Sequence, residues 1–327
     1  MANRLRNLTL GLMLATIACI AGCSRQTSSA NDGAASGISS QAASVPAAPD
    51  PAATGGFDGA RAYKHVAQLV AIGPHSAGSE GIRRAQAYLV EQLKGFGCPV
   101  EEQDFHASTP VGDVAMKNIL VKIPSANPNI VLYATHYDSK RLANFVGADD
   151  GGSSTGVILE LARLLCATKN GVTVWLAFLD GEEAFNFQWA DPDNTYGSRE
   201  LAASMALSGM LPHVKAMILA DMIGPANLRI KRESNSTPWL TDLIWSTAQR
   251  LGYGNVFVND RIPIEDDHLA FLARGVAACD VIAFDDPITQ SFWHTSRDTL
   301  DKVDPLSLAI TGHVLLESFP DLEKKFR

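Results

Sequence analysis

Val172-Thr-Val-Trp-Leu-Ala-Phe-Leu-Asp-Gly-Glu-Glu-Ala-Phe185 is the stretch that decides the fold. Its first eight residues are apolar almost without a break, so Val172 to Leu179 reads as a strand buried on both faces. Asp180 and two adjacent glutamates, Glu182 and Glu183, follow at once. Paired carboxylates at the end of a buried strand repel each other and resist burial unless a cation compensates. The simplest use of the pair is one glutamate on a metal and the other free to move protons. Three more acid or histidine clusters follow apolar runs: His136-Tyr-Asp138, Asp149-Asp150 and Trp293-His294.

Around this strand the chain alternates between helical and extended patterns. Residues 60–72 and 79–96 read as amphipathic helices, the second with Ile82, Tyr88, Leu89, Leu93 and Phe96 at helical spacing, Ser79 as cap and Gly97 as stop. Residues 118–123 and 130–135 read as strands and 155–167 as a helix. Beyond the central strand come a helix (197–207), a strand (214–220), a helix (238–251), a strand (276–284) and a closing helix (305–319). This order predicts an α/β protein, a three-layer α/β/α sandwich around a mostly parallel mixed sheet. Ligands of such sheets gather beyond the carboxyl ends of the strands, where His136, Glu182, Glu183 and Asp221 fall.

The 327 residues, 46% of them hydrophobic, are ample for one catalytic domain over 57–327. A net charge of −8 with no basic run argues against nucleic acid as a partner. Arg4 and Arg6 precede an apolar stretch, Leu8 to Gly22, that is short for a membrane span and suits an export signal over 1–22. The stretch ends Ile20-Ala-Gly-Cys23, which resembles a bacterial lipobox; an ordinary signal with an incidental cysteine is the plainer reading. Lipid on Cys23 would anchor the chain to a membrane facing the periplasm, and Ser24 in place of Asp points to the outer membrane. Residues 23–56, rich in Ala, Ser, Gly and Pro, read as a flexible tether. Cys98, Cys166 and Cys279 make at most one disulfide, and their spacing gives no thiolate zinc site.

Catalytic zinc takes about three protein ligands and keeps one position open. Candidates are His136, Asp150, Glu183, Asp221 and His294; with no HExxH in the chain, the ligands must converge from separate loops. Taken singly, each has a plainer reading. His136 and Asp138 could be a structural pair, Asp149-Asp150-Gly-Gly and Asp221 could cap turns, and His294 could pack on Trp293. The glutamate pair is the hardest to explain without a cation.

Asp180-Gly-Glu-Glu-Ala-Phe185, Trp189 and Tyr196-Gly-Ser-Arg199 resemble the signature of the zinc-dependent glutaminyl-peptide cyclotransferases (glutaminyl cyclases). So do His136-Tyr-Asp-Ser-Lys140, Glu265-Asp-Asp-His268 and Trp293-His-Thr295, in the right order over roughly 73–320. These enzymes share a zinc-exopeptidase-like fold with dizinc aminopeptidases. The resemblance implies zinc on Asp150, Glu183 and His294, with Glu182 as acid/base supported by Asp221 and Asp266. Trp189 and Trp293 would line the pocket, though both could equally be core. The implied substrates are peptides or proteins with N-terminal glutamine, which close to pyroglutamate and release ammonia. One zinc is expected, and His136 with Asp221 leaves room for a second.

The pattern also departs from the family. Asp149-Asp150-Gly-Gly is closer to the aminopeptidase version, Asp280 stands where animal cyclases have histidine, and one extra residue separates Glu183 from Trp189. Asp266 favours the cyclase. Removal of N-terminal residues by a dizinc aminopeptidase is the alternative activity. A serine hydrolase is the remote one, from Gly152-Ser-Ser-Thr-Gly156 with Asp286 and His294.

Overall fold

The computed structural model describes residues 48–327. The export signal, Cys23 and most of the expected tether lie outside the described residues. Secondary structure is present ahead of the expected boundary at 57. Pro51–Thr54 forms a short 3-10 helix capped by the Asp50 side chain, and Thr54 is buried, its hydroxyl donating to the Phe57 carbonyl at 2.6 Å.

Among the described residues, six strands form the main sheet: β1 (Val100–Thr109), β2 (Gly112–Ile123), β3 (Ile130–His136), β4 (Thr173–Leu179), β5 (Val214–Asp221) and, after a small pair, β8 (Ala278–Ile282). Their order is β1-β2-β4-β3-β5-β8. The block β4-β3-β5-β8 is parallel, whereas β2 is antiparallel to both of its neighbours, β1 and β4. The small pair, β6 (Ile230–Glu233) and β7 (Phe257–Ile262), forms a separate parallel sheet.

Side chains along the central strands alternate between two cores, as the period of a strand requires. Val131, Tyr133, Val174, Leu176, Phe178 and Ile218 face α1 (Gly59–Ile72), α2 (Glu80–Gly95), α3 (Gly152–Cys166), α5 (Pro238–Arg250) and α8 (Pro305–Phe326). Leu132, Ala134, Trp175, Leu179 and Leu219 face α4 (Tyr196–Leu207) and α6 (His268–Leu272). Each large apolar side chain so enclosed contributes about 1.5–3 kcal/mol. The three-layer α/β/α architecture is therefore the one expected. In α2, Ser79 Oγ accepts the Ile82 N–H at 3.1 Å, the cap predicted for it.

Some elements differ from expectation. The β1 strand carries Glu101, Glu102 and Asp104, and within it only Phe105 is buried, so no alternating pattern announces it. The short elements β6, β7, α6 and α7 (Pro287–Phe292) were likewise not foreseen. The last helix continues through Pro320 to Phe326 instead of stopping at 319. Buried Leu322 and a Phe326 carbonyl that accepts from Asn127 and Asn129 Nδ2 (2.9 and 2.8 Å) hold the extra turns down.

The chain leaves β3 through α3 to reach β4 on one side, then returns through α4 to β5 on the other. The crevice of such a sheet opens at this switch point. Register puts His136 beside Leu179 and Asp221 beside Ile282, so the chemistry-bearing residues emerge at one level.

Cys98 and Cys166 are joined, tying the turn before β1 to the end of α3, and Cys279 is buried and free. Closing a 68-residue separation restricts the unfolded chain by roughly 4 kcal/mol in the loop-entropy picture. Replacing both cysteines by serine should cost about 2–4 kcal/mol, read as a lower urea midpoint. An unchanged midpoint would show that the two sulfurs are not joined in the folded protein.

Candidate active site and metal centre

His136, Asp150, Glu183, Asp221 and His294 converge beyond the carboxyl ends of β3, β4 and β5. Their ligand atoms form two groups, each within 4.8 Å: His136, Asp150 and Asp221, and Asp150, Glu183 and His294. Asp150 belongs to both. His136 Nε2 lies 3.1 Å from Asp221 Oδ1 and 3.4 Å from Asp150 Oδ1. His294 Nε2 lies 3.3 Å from Asp150 Oδ2 and 3.2 Å from Glu183 Oε1. Asp150 Oδ2 and both Glu183 oxygens are buried without a hydrogen-bond donor. Buried carboxylate oxygens rarely stay unpaired; here they fit a cation. Glu182 belongs to neither group and lines the pocket instead.

Local structure explains the convergence. With Nδ1 of His136 donating to the Asp138 carbonyl (3.2 Å), Nε2 is turned toward the acids. The Asp138 carboxylate accepts the N–H groups of Glu182 (3.1 Å) and Glu183 (3.3 Å) and fixes the glutamate turn. Asp298 does the same for the other ligand turn, accepting from Asp149 N (2.8 Å) and Asp150 N (3.1 Å). Gly151 has φ of 78°, and a Cβ there would sit 2.8 Å from His136 Cε1, so this ligand-bearing turn favours glycine. The extra residue before Trp189 is absorbed in an exposed loop, 186–188, whose base is tied by Asp193 to the Phe185 and Asn186 amides (3.0 and 2.9 Å).

The electrostatics are those of a site built for positive charge. Burial pushes Glu182 well above the usual carboxylate range; His136 opposes this, while Glu183, Asp266 and Asp267 add to it. Burial and Asp150 raise Glu183 against the pull of His294 and Lys140. Burial also opposes the charge of Asp150, yet His136 and His294 hold it low. Burial would lower His294, but Asp150 and Glu183 bring it up to about 9.

The pocket, about 240 Å³, has Asp150, Glu182, Glu183, Asp221 and Asp266 as its polar side and Trp189, Ile264, Phe284 and Trp293 as its apolar wall. Trp293 stacks on His294 (centroids 4.0 Å, 23°) and meets Phe284 edge-on (4.8 Å). Reading the sequence did not single out Asp298, Phe145, Ile264 or Phe284, and it gave Lys140 no role. Lys140 Nζ lies 3.3 Å from Glu183 Oε2, an ion-pair distance without hydrogen-bond alignment, both groups being buried. Phe145 meets the His294 ring edge-on at 6.0 Å.

The serine-hydrolase alternative fails here. Ser154 is buried in the first turn of α3, engaged with Thr135 Oγ1 at 2.7 Å, while Asp286 caps α7 and His294 faces Asp150 and Glu183.

Residues 118–319 match the peptidase family M28. A glutaminyl-peptide cyclotransferase of Boiga irregularis is 32% identical over 270 residues, 71% of this chain and 72% of that one. The chain belongs to peptidase family M28, among the glutaminyl-peptide cyclotransferases. Among solved structures, an Acidobacteriales bacterium glutaminyl cyclase is similar with a TM-score of 0.78 and 37% identity, covering 87% of this chain and 98% of that one. A Zn-dependent exopeptidase from Parabacteroides distasonis has a TM-score of 0.71 and 28% identity, covering 84% and 99%. Kinship to both activities within one family fits a site that carries two overlapping ligand groups.

Burial puts Asp180 up at about 8, with Asp138 adding to it, and Asp267 up at about 7. Both exceed the unfolded carboxylate value of about 3.9. The folded chain therefore binds these protons more tightly. The stability they contribute is complete below about pH 4 and is lost as pH rises through the folded values. The raised His294 acts in the same direction above about pH 6.5. Metal-free protein should thus melt at a lower temperature at about pH 8 than at about pH 5. A midpoint that rises across that interval in calorimetry would contradict this electrostatic description.

Proposed function

We propose that the protein converts the N-terminal glutamine of peptides or proteins to pyroglutamate with release of ammonia, and that the metal it uses is one zinc ion held by Asp150, Glu183 and His294. The observation that carries the reading is a glutamate pair split between two jobs. Glu183 joins a ligand group, while Glu182 faces the pocket unligated, kept protonatable by burial and by neighbouring acids. Bound there, zinc supplies Lewis-acid polarisation of the side-chain amide.

The chain's own residues do the rest. The apolar wall of Trp189, Ile264, Phe284 and Trp293 holds the glutamine side chain folded toward its own α-amine and keeps water off the carbon. Glu182 removes a proton from the attacking amine and delivers it to the departing nitrogen. The new C–N bond closes the five-membered lactam, the old one breaks, and ammonia leaves. Asp221 and Asp266, on the same pocket face, are proposed to support Glu182 in its proton-carrying state. His136, with burial opposed by Glu182 and Asp221, is raised above its ordinary value and can carry the second positive charge of the site as a proton.

The second ligand group favours one rival, a dizinc aminopeptidase with the other ion on His136, Asp150 and Asp221. One purified sample assayed on a glutaminyl and a leucyl fluorogenic substrate separates the two. Cyclisation without leucyl hydrolysis is expected, and leucyl hydrolysis without cyclisation would overturn the proposal. Glu182→Gln should lower kcat by roughly 10²–10⁴-fold while bound zinc per chain stays the same. Retained turnover would remove Glu182 from its role.

We also propose export and lipid anchoring at Cys23, facing the periplasm from the outer membrane. The Cys98–Cys166 bond supports an oxidising compartment. Cys23→Ser should move the protein from the membrane to the soluble fraction, and unchanged fractionation would refute the anchor.

A further inference from the structure

Behind the pocket wall lies a buried cluster that the reaction as described does not use. Glu233 ends β6 almost wholly enclosed, yet its carboxylate accepts six hydrogen bonds. Oε1 receives Asn235 N (2.8 Å), Asn235 Nδ2 (3.0 Å) and Ile264 N (3.2 Å). Oε2 receives Ser236 N (2.7 Å), Ser236 Oγ (2.9 Å) and His268 Nε2 (3.1 Å). Burial would raise this carboxyl, but its donors, His268 first, hold it down at about 2. A carboxylate so saturated is ionised, so the facing Nε2 of His268 carries a hydrogen.

The placement of two of these donors is informative. Ile264 stands two residues before Asp266, and His268 stands two residues after it. Asp266 lines the pocket beside Glu182, buried, with its Oδ2 lacking any partner. Asp267, between Asp266 and His268, is buried with both side-chain oxygens unpartnered; within the turn Asp266 Oδ1 accepts the Asp267 N–H (2.5 Å) and the Asp266 carbonyl accepts the Leu269 N–H (3.0 Å). The turn is also held from outside, at its two flanks, by one side chain, Glu233 of the β6–β7 pair. Ser236 extends the hold to β8, since its Oγ also accepts the Asp280 N–H at 3.0 Å. A carboxylate is suited to this task because it accepts at two oxygens and spans both flanks.

We propose that Glu233 and His268 are positioning residues for catalysis: they clamp the chain on either side of Asp266 and so set its carboxyl against the reacting end of the substrate. The proposal rests on the cyclase reading for its reaction, although the clamp itself belongs to the fold. Neither residue touches the pocket, so each acts through the segment it holds. A small displacement of a group beside the reacting atoms is enough to slow chemistry by orders of magnitude; loss of the His268 flank alone leaves the wall at Ile264 still tied to Glu233.

The test is steady-state kinetics of the zinc-loaded full chain on a Gln-peptide for His268→Ala, His268→Gln and Glu233→Gln, with zinc content and melting temperature measured on the same samples. His268→Ala should lower kcat by roughly 10–100-fold with KM within about twofold and zinc content unchanged. His268→Gln keeps an N–H toward Glu233 and should recover to within about threefold of wild type. Glu233→Gln loses one acceptor at a position facing six donors, so kcat should fall and, through Ile264 in the wall, KM should rise. Unchanged kcat in His268→Ala would overturn the clamp. So would a uniform loss of zinc and melting temperature without recovery in His268→Gln, or failure of both glutamine variants to fold, because the role would then be structural only. If wild type hydrolyses leucyl substrate and forms no pyroglutamate, the cyclase reading fails on its own. The clamp is then judged by the same kcat pattern on that hydrolysis.

Discussion

The constraint on which the structure depends is the crowding of negative charge at one end of one sheet. Asp138, Asp150, Glu182, Glu183, Asp221, Asp266 and Asp267 all lie below the surface there. Water cannot reach them well enough to screen their repulsion, and hydrophobic packing does nothing for it. The fold answers in three ways: two histidines and Lys140 aimed at the carboxylates, backbone amides donated to Asp138, and a ligand geometry that suits a cation. Each answer fixes a different part of the site. In the proposed site the histidines bound the place a cation would take, the amides define the turns, and the remaining protonatable acids are left for the proposed chemistry.

The same crowding separates the work of neighbouring residues. Glu182 and Glu183 are adjacent in the chain and share the Asp138 carboxylate through their amides, yet one faces His294 and Lys140 and the other faces Asp266. Asp150 is drawn low by its two histidines, while Glu182 is driven high by burial. Pairs of carboxyl groups pushed in opposite directions are how one pocket supplies both a ligand and a proton carrier near neutral pH. The aromatic wall opposite, with Trp293 stacked on His294, joins the apolar side of the pocket to the side proposed for the metal.

Much of this was legible in the sequence because the chemistry follows directly on the apolar strands. The end of β4 announces Glu182 and Glu183, and the ends of β3 and β5 announce His136 and Asp221. The roles of acids that act on distant backbone were not legible, even where, as with Asp138, the residue itself was noticed. Asp138 reaches amides 44 residues away, Asp298 reaches Asp149 across 149, and Glu233 reaches Ile264 across 31. Nothing local marks such acids as different from solvated ones. The same blindness hid β1, whose single buried side chain leaves no alternation to read, and misjudged the last helix, where burial of Leu322 outweighs the proline before it. The serine motif failed for the opposite reason: its local pattern was right, but the hydroxyl it names is spent inside the first turn of a helix.

The central claim is that these scattered side chains share one cation. Anomalous diffraction from crystals of the purified protein, recorded on both sides of the zinc absorption edge, addresses it directly. A zinc peak bounded by Asp150, Glu183 and His294 is expected, with Glu182 outside its coordination. Density lacking a zinc signal at that position in a catalytically active preparation, or a zinc ion bound by Glu182 in place of Glu183, would contradict it.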